Sequence, residues 1–269
     1  MPRKSARQPS VPPRLKGKVS VSVFEITKAR LQSVPEDERA LMLMSGHTLN
    51  LLGVWMKLLA LTTRHRTFDQ QLDRFNAAQT HILLRTLTGT VVEAWEWLRR
   101  PESHHLIRTK YLQRLPPEAA SAYQDMKKMF GRSGLLYRVR NGFAYHHPTT
   151  SEVTAALNEM PDDDDFNWYV TDEHVTSFYF GCEAVVGYGA MRGADANDFG
   201  SRMTVVLTEL MSAANAMSRF LTGLMSAIAL SNWPDLRVAR EVELPAALGA
   251  TSSLPFFYER LFAGRQMKD

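Results

Sequence analysis

The segment Met203 to Leu230 constrains the fold more than any other part of the sequence. Met203, Val206, Leu210, Met217, Leu221, Leu224 and Ile228 recur at three, four or seven residues and fall on one side of a helix. A helix of that length with a single apolar face has to lie along a core supplied by other helices. The chain therefore has to provide partners, and the search for them sets its organisation.

Ser33 and Glu36 have the spacing of a capping box, and Pro35 suits a first helical position. Glu36, Asp37 and Glu38 favour the positive end of a helix dipole. Leu41, Met44, Leu51, Trp55 and Leu58 then recur at helical spacing and predict an inward stripe through about residue 62. Thr67 and Gln70 repeat the capping spacing before a second long helix, with Leu84, Leu87, Val91, Trp95 and Leu98 as its core face and Pro101 as its stop. Residues 101–115 are polar and read as irregular. Pro116 and Pro117 restart a helix that turns Ala119, Tyr123 and Met126 inward, and Gly131 and Gly134 mark its end.

The stretch from Gly134 to His147 carries Leu136, Val139 and Phe143 at helical spacing and stops at Pro148. Thr149 and Glu152 cap another short helix. Tyr169, Val170, Val175, Phe178 and Phe180 flank the polar Thr171 to His174 and predict a small hairpin within 166–186. The expected fold class is mainly α, a helical bundle with a small β-hairpin insertion. The domain spans 20–231, between a basic tail at 1–19 and an irregular extension at 232–269 in which Trp233, Phe256, Phe257 and Leu261 serve as surface anchors.

Composition removes several classes. With 45% apolar residues, 22% charged residues and ordinary Gly and Pro counts, the chain is not collagen-like, a coiled coil or wholly disordered. The formal charge of +4 invites a nucleic-acid reading, but Arg3, Lys4, Arg7, Arg14, Lys16 and Lys18 all precede residue 20. The other 250 residues hold 26 bases and 28 acids, net −2. Lys57 interrupts the apolar stretch 41–61, and Glu209 and Arg219 interrupt 203–230, so neither reads as a membrane span. A single cysteine, Cys182, excludes an intramolecular disulfide and reads as a buried, inert thiol of a cytoplasmic protein.

The functional-type residues concentrate at Arg138, Arg140, Asn141, Tyr145, His146 and His147. Arginine stays charged and matches phosphate oxygens with a fork of donors, whereas histidine titrates near neutrality and moves protons. On an unbroken helix His147 lies about 20° from Arg140 and His146 about 120° away; Pro148 disfavours helical geometry at His147, which opens the last turn. Glu93 or Glu96 on the preceding long helix has the charge to orient Arg140 or an imidazole, or simply to pair with Arg140 as a structural contact. His104 and His105 read as an exposed loop. The run Asp162 to Asp165 with Glu173 and His174 reads as an acidic turn without fixed ligand geometry, and no metal or cofactor is expected from it. The Met-rich face from Met203 to Met225 reads as core or a dimer seam.

The stretch Arg140-Asn141-Gly142-Phe143-Ala144-Tyr145-His146-His147 resembles the Arg-x(4–6)-His signature of HEPN-type domains, in which a polar residue, often Asn, follows the Arg. The resemblance implies a helical bundle that pairs with a second copy and acts as a metal-independent endoribonuclease. Arg140, Asn141 and His146, with His147 as the close alternative, would be catalytic, Glu93 supporting, and Arg138 and Tyr145 RNA-binding. The motif form favours His146, six residues after the Arg and followed by another His. The setting implied is a bacterial toxin or phage-defence system, with RNA as substrate, a homodimer as the working form, a cognate antitoxin as partner, and no cofactor or membrane. The reading from another class is a non-catalytic dimerising interaction module.

Overall fold

The computed structural model describes residues 18–64, 70–132, 134–162, 166–169 and 178–245. The chain is mainly helical, and its order is β1 (Lys18–Val23), α1 (Lys28–Gln32), α2 (Glu36–Arg64), α3 (Gln70–Leu98), α4 (Pro101–Leu106), α5 (Pro117–Arg132), α6 (Gly134–Val139), α7 (Thr150–Glu159), β2 (Trp168–Tyr169), β3 (Phe178–Tyr179), α8 (Phe180–Met191), α9 (Phe199–Asn232) and β4 (Arg240–Pro245). Among the described residues no helix is long and apolar enough to cross a membrane.

Helix α9 is the spine. Asp198 accepts from the backbone N–H of Ser201 at 2.9 Å and caps the first turn. Val206, Leu210, Met217, Leu221, Leu224 and Ile228 are all buried, as the periodicity predicts. Helices α2, α3 and α5 pack along it. The approach of α5 is close because position 223 is glycine: a Cβ there would run into that of Ala119. Leu84, Leu87, Val91, Trp95 and Leu98 of α3 and Ala119, Tyr123 and Met126 of α5 are also buried, and Trp95 stacks on Phe130 at 5.1 Å.

Helix α2 departs from its predicted orientation. Leu41 is buried, but Met44 and Leu51 are exposed. The inward stripe is instead Leu41, Ser45, Thr48, Leu52 and Leu59, partly polar and one residue out of step with the apolar pattern. Its start is also held differently. Ser33 donates to the Arg30 carbonyl at 2.8 Å at the end of α1 and does not form a capping box with Glu36.

Within 101–115, residues 101–114 are helical, not irregular. Pro101 opens α4, and a π-helical turn Ile107–Tyr111 and a 3₁₀ turn Leu112–Arg114 continue it, because Ile107 and Tyr111 are fully buried anchors. Buried Glu38 binds the Lys110 ammonium and the Tyr111 hydroxyl and accepts from Asn232 Nδ2 at 3.0 Å, joining the start of α2 to the end of α9. Trp233 is buried as well, with the Arg30 guanidinium 5.5 Å from its ring and Arg30 paired to Asp235 at 2.6 Å.

Two strand pairs complete the fold. β2 and β3 form the base of the predicted hairpin, although residues from Phe180 onward are helical. The remainder of that hairpin, including Val170, Val175 and Thr171 to His174, lies outside the described residues, as do Asp163 to Asp165, Thr67, Phe256, Phe257, Leu261 and residues 1–17. β1 pairs antiparallel with β4, Lys18 opposite Pro245 and Val23 opposite Arg240. Thus the end of the predicted basic tail and part of the predicted irregular extension form one ribbon.

Candidate functional site

Helix α6 does not run straight into the Arg140 motif. At Arg140–Ala144 the backbone widens into a π-helical turn, then bends at Tyr145 and His146 before Thr149 caps α7. Both halves of the Thr149–Glu152 capping box are present. A π turn registers hydrogen bonds five residues apart, so the angular relation of Arg140 to His146 and His147 on an unbroken helix does not apply. Leu136, Val139 and Phe143 remain buried through the transition and anchor it.

Arg140 lies against α3. Its Nε donates to Glu93 Oε1 at 2.8 Å, its Nη2 binds the same carboxylate oxygen, and its Nη1 donates to Asn141 Oδ1 at 2.6 Å. Among the described residues these contacts engage three of the five guanidinium N–H groups, leaving one on each terminal nitrogen for another acceptor. The arginine side chain is 28% exposed and the glutamate 46%, so the pair sits at the surface.

Tyr145 docks on the same face of α3 one turn earlier. Its hydroxyl is 3.4 Å from Thr90 Oγ1, and a Cβ at position 89 would stand 2.5 Å from its ring. Gly89, Thr90 and Glu93 therefore receive the two ends of the motif, and His146 follows from the Tyr145 anchor. His146 and His147 are exposed, and among the described residues neither imidazole hydrogen-bonds to Arg140. The structure thus joins Arg140, Asn141 and Glu93, holds Tyr145 one turn away, and presents both histidines to solvent.

Arg138 is not presented with them. Two helical residues are about 200° apart, and Arg138 turns under α8, where it donates to the Ala190 carbonyl at 3.1 Å. Burial, then the nearby Arg192 and Arg202, pushes its pKa down. The guanidinium packs where a Cβ of Gly193 would otherwise be, so Arg138 does not join the Arg140 cluster.

Gly89 and Thr90 were not legible as site residues, although a glycine inside a long helix, costing about 1 kcal/mol relative to alanine, is a signal of close approach. A second feature missed is a polar cluster on α3 and α8. His81 is buried edge-on to Phe199, and among the described residues neither ring nitrogen has a hydrogen-bond partner. Burial, then the charge of Arg85, pushes the His81 pKa down to about 4, and Arg85 pairs with Glu183 at 2.8 Å. Cys182 beside it is exposed, not buried. His104 and His105 stand on α4 and line a surface cavity of about 530 Å³ with Arg108.

These elements define a mainly helical protein with a surface Arg/Asn/Glu cluster and, six and seven residues after the arginine, two exposed histidines. No family model, curated protein or solved structure matches the chain.

Proposed function

We propose that the chain is a HEPN-like metal-independent endoribonuclease. The observation that carries this reading is the bearing of Arg140: Glu93 and Asn141 hold its fork at a helix end, with two N–H groups unengaged among the described residues and two exposed imidazoles six and seven residues on. RNA supplies its own nucleophile. The 2′-hydroxyl attacks the adjacent phosphorus, the bond to the 5′-oxygen breaks, and a 2′,3′-cyclic phosphate and a 5′-hydroxyl result. His146 takes the proton from the 2′-hydroxyl, and a second imidazole, His147 or one from a second copy, returns a proton to the 5′-oxygen. Arg140 pairs with the non-bridging oxygens as charge builds on them, while Asn141 holds its other edge.

The test is cleavage of RNA in the presence of EDTA, with mapping of the product termini. Arg140→Ala and His146→Ala should each abolish cleavage while leaving the helical circular dichroism intact. Cleavage that persists in both variants overturns the assignment.

One observation favours the non-catalytic dimerising module instead: Glu93 neutralises Arg140 in the free protein, as a structural ion pair would. That reading gains if purified protein leaves diverse RNAs intact and neither substitution changes partner binding.

A further inference from the structure

Helix α2 carries a second stripe, rotated about 100° from its buried one. Ala40, Met44, His47, Leu51, Val54 and Leu58 are spaced 4, 3, 4, 3 and 4 residues apart, the strict repeat of a two-helix seam, and His47 is its only polar member. All six are exposed except half-buried Leu58; Val54 is 54% exposed. Leu43, 51% exposed, flanks the stripe. A solvent-facing helix surface is ordinarily polar, so a continuous apolar row of this kind marks an interface.

We infer that this face is a docking surface for a second copy of the chain, α2 against α2 in antiparallel orientation. The charges along the helix select that occupant and that direction. The first turn of α2 is acidic, with Glu36 and Asp37 exposed, whereas exposed Lys57 lies toward the other end. Two antiparallel copies set opposite charges beside each other and align the helix dipoles favourably; two parallel copies would stack acid on acid and base on base. One register satisfies the pattern throughout. Ala40 faces Leu58, Met44 faces Val54 and His47 faces Leu51, each pair occurring twice. The same register brings Lys57 toward the acidic first turn of the other copy and Asn50 beside its own copy at the two-fold axis. The partly polar inward row fits the same picture, because the bundle covers that row and leaves the more apolar one, about 100° away, uncovered.

This inference does not depend on the ribonuclease reading, and its test reads mass, not activity. Light scattering of the full chain should give twice the 30.5 kDa chain mass. Leu51→Glu buries a charge at the seam and should weaken the dimer at least ~100-fold without changing the helical spectrum. Glu36→Lys and Lys57→Glu should each weaken it, and the two together should recover part of the loss. In a Cys182→Ser background, Asn50→Cys should cross-link the dimer on oxidation. A wild-type monomer at every concentration reached, a dimer indifferent to Leu51→Glu, or no Asn50→Cys cross-link overturns the proposal. So does a monomer that dimerises only once residues 246–269 are deleted, since the chain's own end would then be the occupant.

Discussion

Arg140 Nε donates to Glu93 Oε1 at 2.8 Å across 47 residues of sequence, and that contact sets the direction of the guanidinium. The pair is too exposed to stabilise the fold by more than about 1 kcal/mol. Glu93→Ala should therefore move Tm by no more than roughly 3 °C. Its effect on RNA should be larger and should split. Loss of the carboxylate unmasks a positive charge and lowers KM at low salt, while the arginine loses its bearing and kcat falls roughly tenfold or more. Glu93→Gln keeps an oxygen for the Nε–H and should retain most of the rate. Single-turnover cleavage at several RNA concentrations separates the two effects, and a wild-type kcat in Glu93→Ala would remove Glu93 from the site.

Gly89 supports the other end of the motif. A methyl group at 89 would stand 2.5 Å from the Tyr145 ring, so the ring must leave α3 and take the bend at His146 with it. Tyr145 is half exposed and free to swing outward, and alanine gains about 1 kcal/mol over glycine inside a helix, so stability should hardly change. Gly89→Ala should thus melt within a few degrees of the wild type yet cleave RNA roughly tenfold more slowly. Tyr145→Phe, which keeps the ring and loses only the 3.4 Å contact to Thr90, should be nearly wild type. Equal rates for Gly89→Ala and wild type would show that the bend does not position the histidine.

How much of this was legible follows from where each pattern gets its meaning. The stripes of α3 and α9 read correctly because each helix has one apolar face, which fixes its orientation from sequence alone. Helix α2 has two, one residue apart, and nothing local says that the partly polar row of Ser45 and Thr48 is the one that faces inward. The Arg140 motif was visible as a cluster, and the Glu93 contact was foreseen as one of two options. The π turn that aims the motif was not visible, since it depends on how Phe143 and Tyr145 pack against distant α8 and α3. Arg138 and Arg140 look equivalent in the sequence, and only the helical angle between them separates an inward arginine from a surface one.

The Glu38 knot should be the most sensitive polar position in the fold. Burial alone would raise the Glu38 pKa, but hydrogen bonds from Asn232, Lys110 and Tyr111 outweigh it and leave the pKa lowered. The carboxylate is thus charged and fully partnered. Glu38→Ala would leave the Tyr111 hydroxyl buried without its acceptor, in a site where losing one partner costs about 3 kcal/mol or more. A fall in Tm of roughly 6–12 °C is expected, read by calorimetry. The double variant Glu38→Gln/Lys110→Met, which removes charge from both sides, should recover part of that loss; a Glu38→Ala protein as stable as the wild type would show that the knot is solvated.

His81 predicts how the protein responds to acid. Its pKa lies at about 4 in the folded chain, against 6.5 for the free side chain, first because burial penalises the charged ring and then because Arg85 is close. Below pH 6.5 the unfolded chain binds a proton that the folded chain refuses. The stability contributed by the neutral ring is therefore fully present above pH 6.5 and is lost as the pH falls toward 4, by about 3 kcal/mol in all. The ring has little room to escape, since a Cβ at Gly187 would already lie 2.7 Å from its Nδ1. Urea midpoints at pH 7 and pH 4.5 should differ strongly in the wild type. In His81→Leu, which fills much of the same space and cannot titrate, the part of the difference due to this ring should vanish, while the contribution of lowered carboxylates such as Glu38 remains. An unchanged pH dependence in His81→Leu would mean that the ring is hydrated and titrates freely in the folded state.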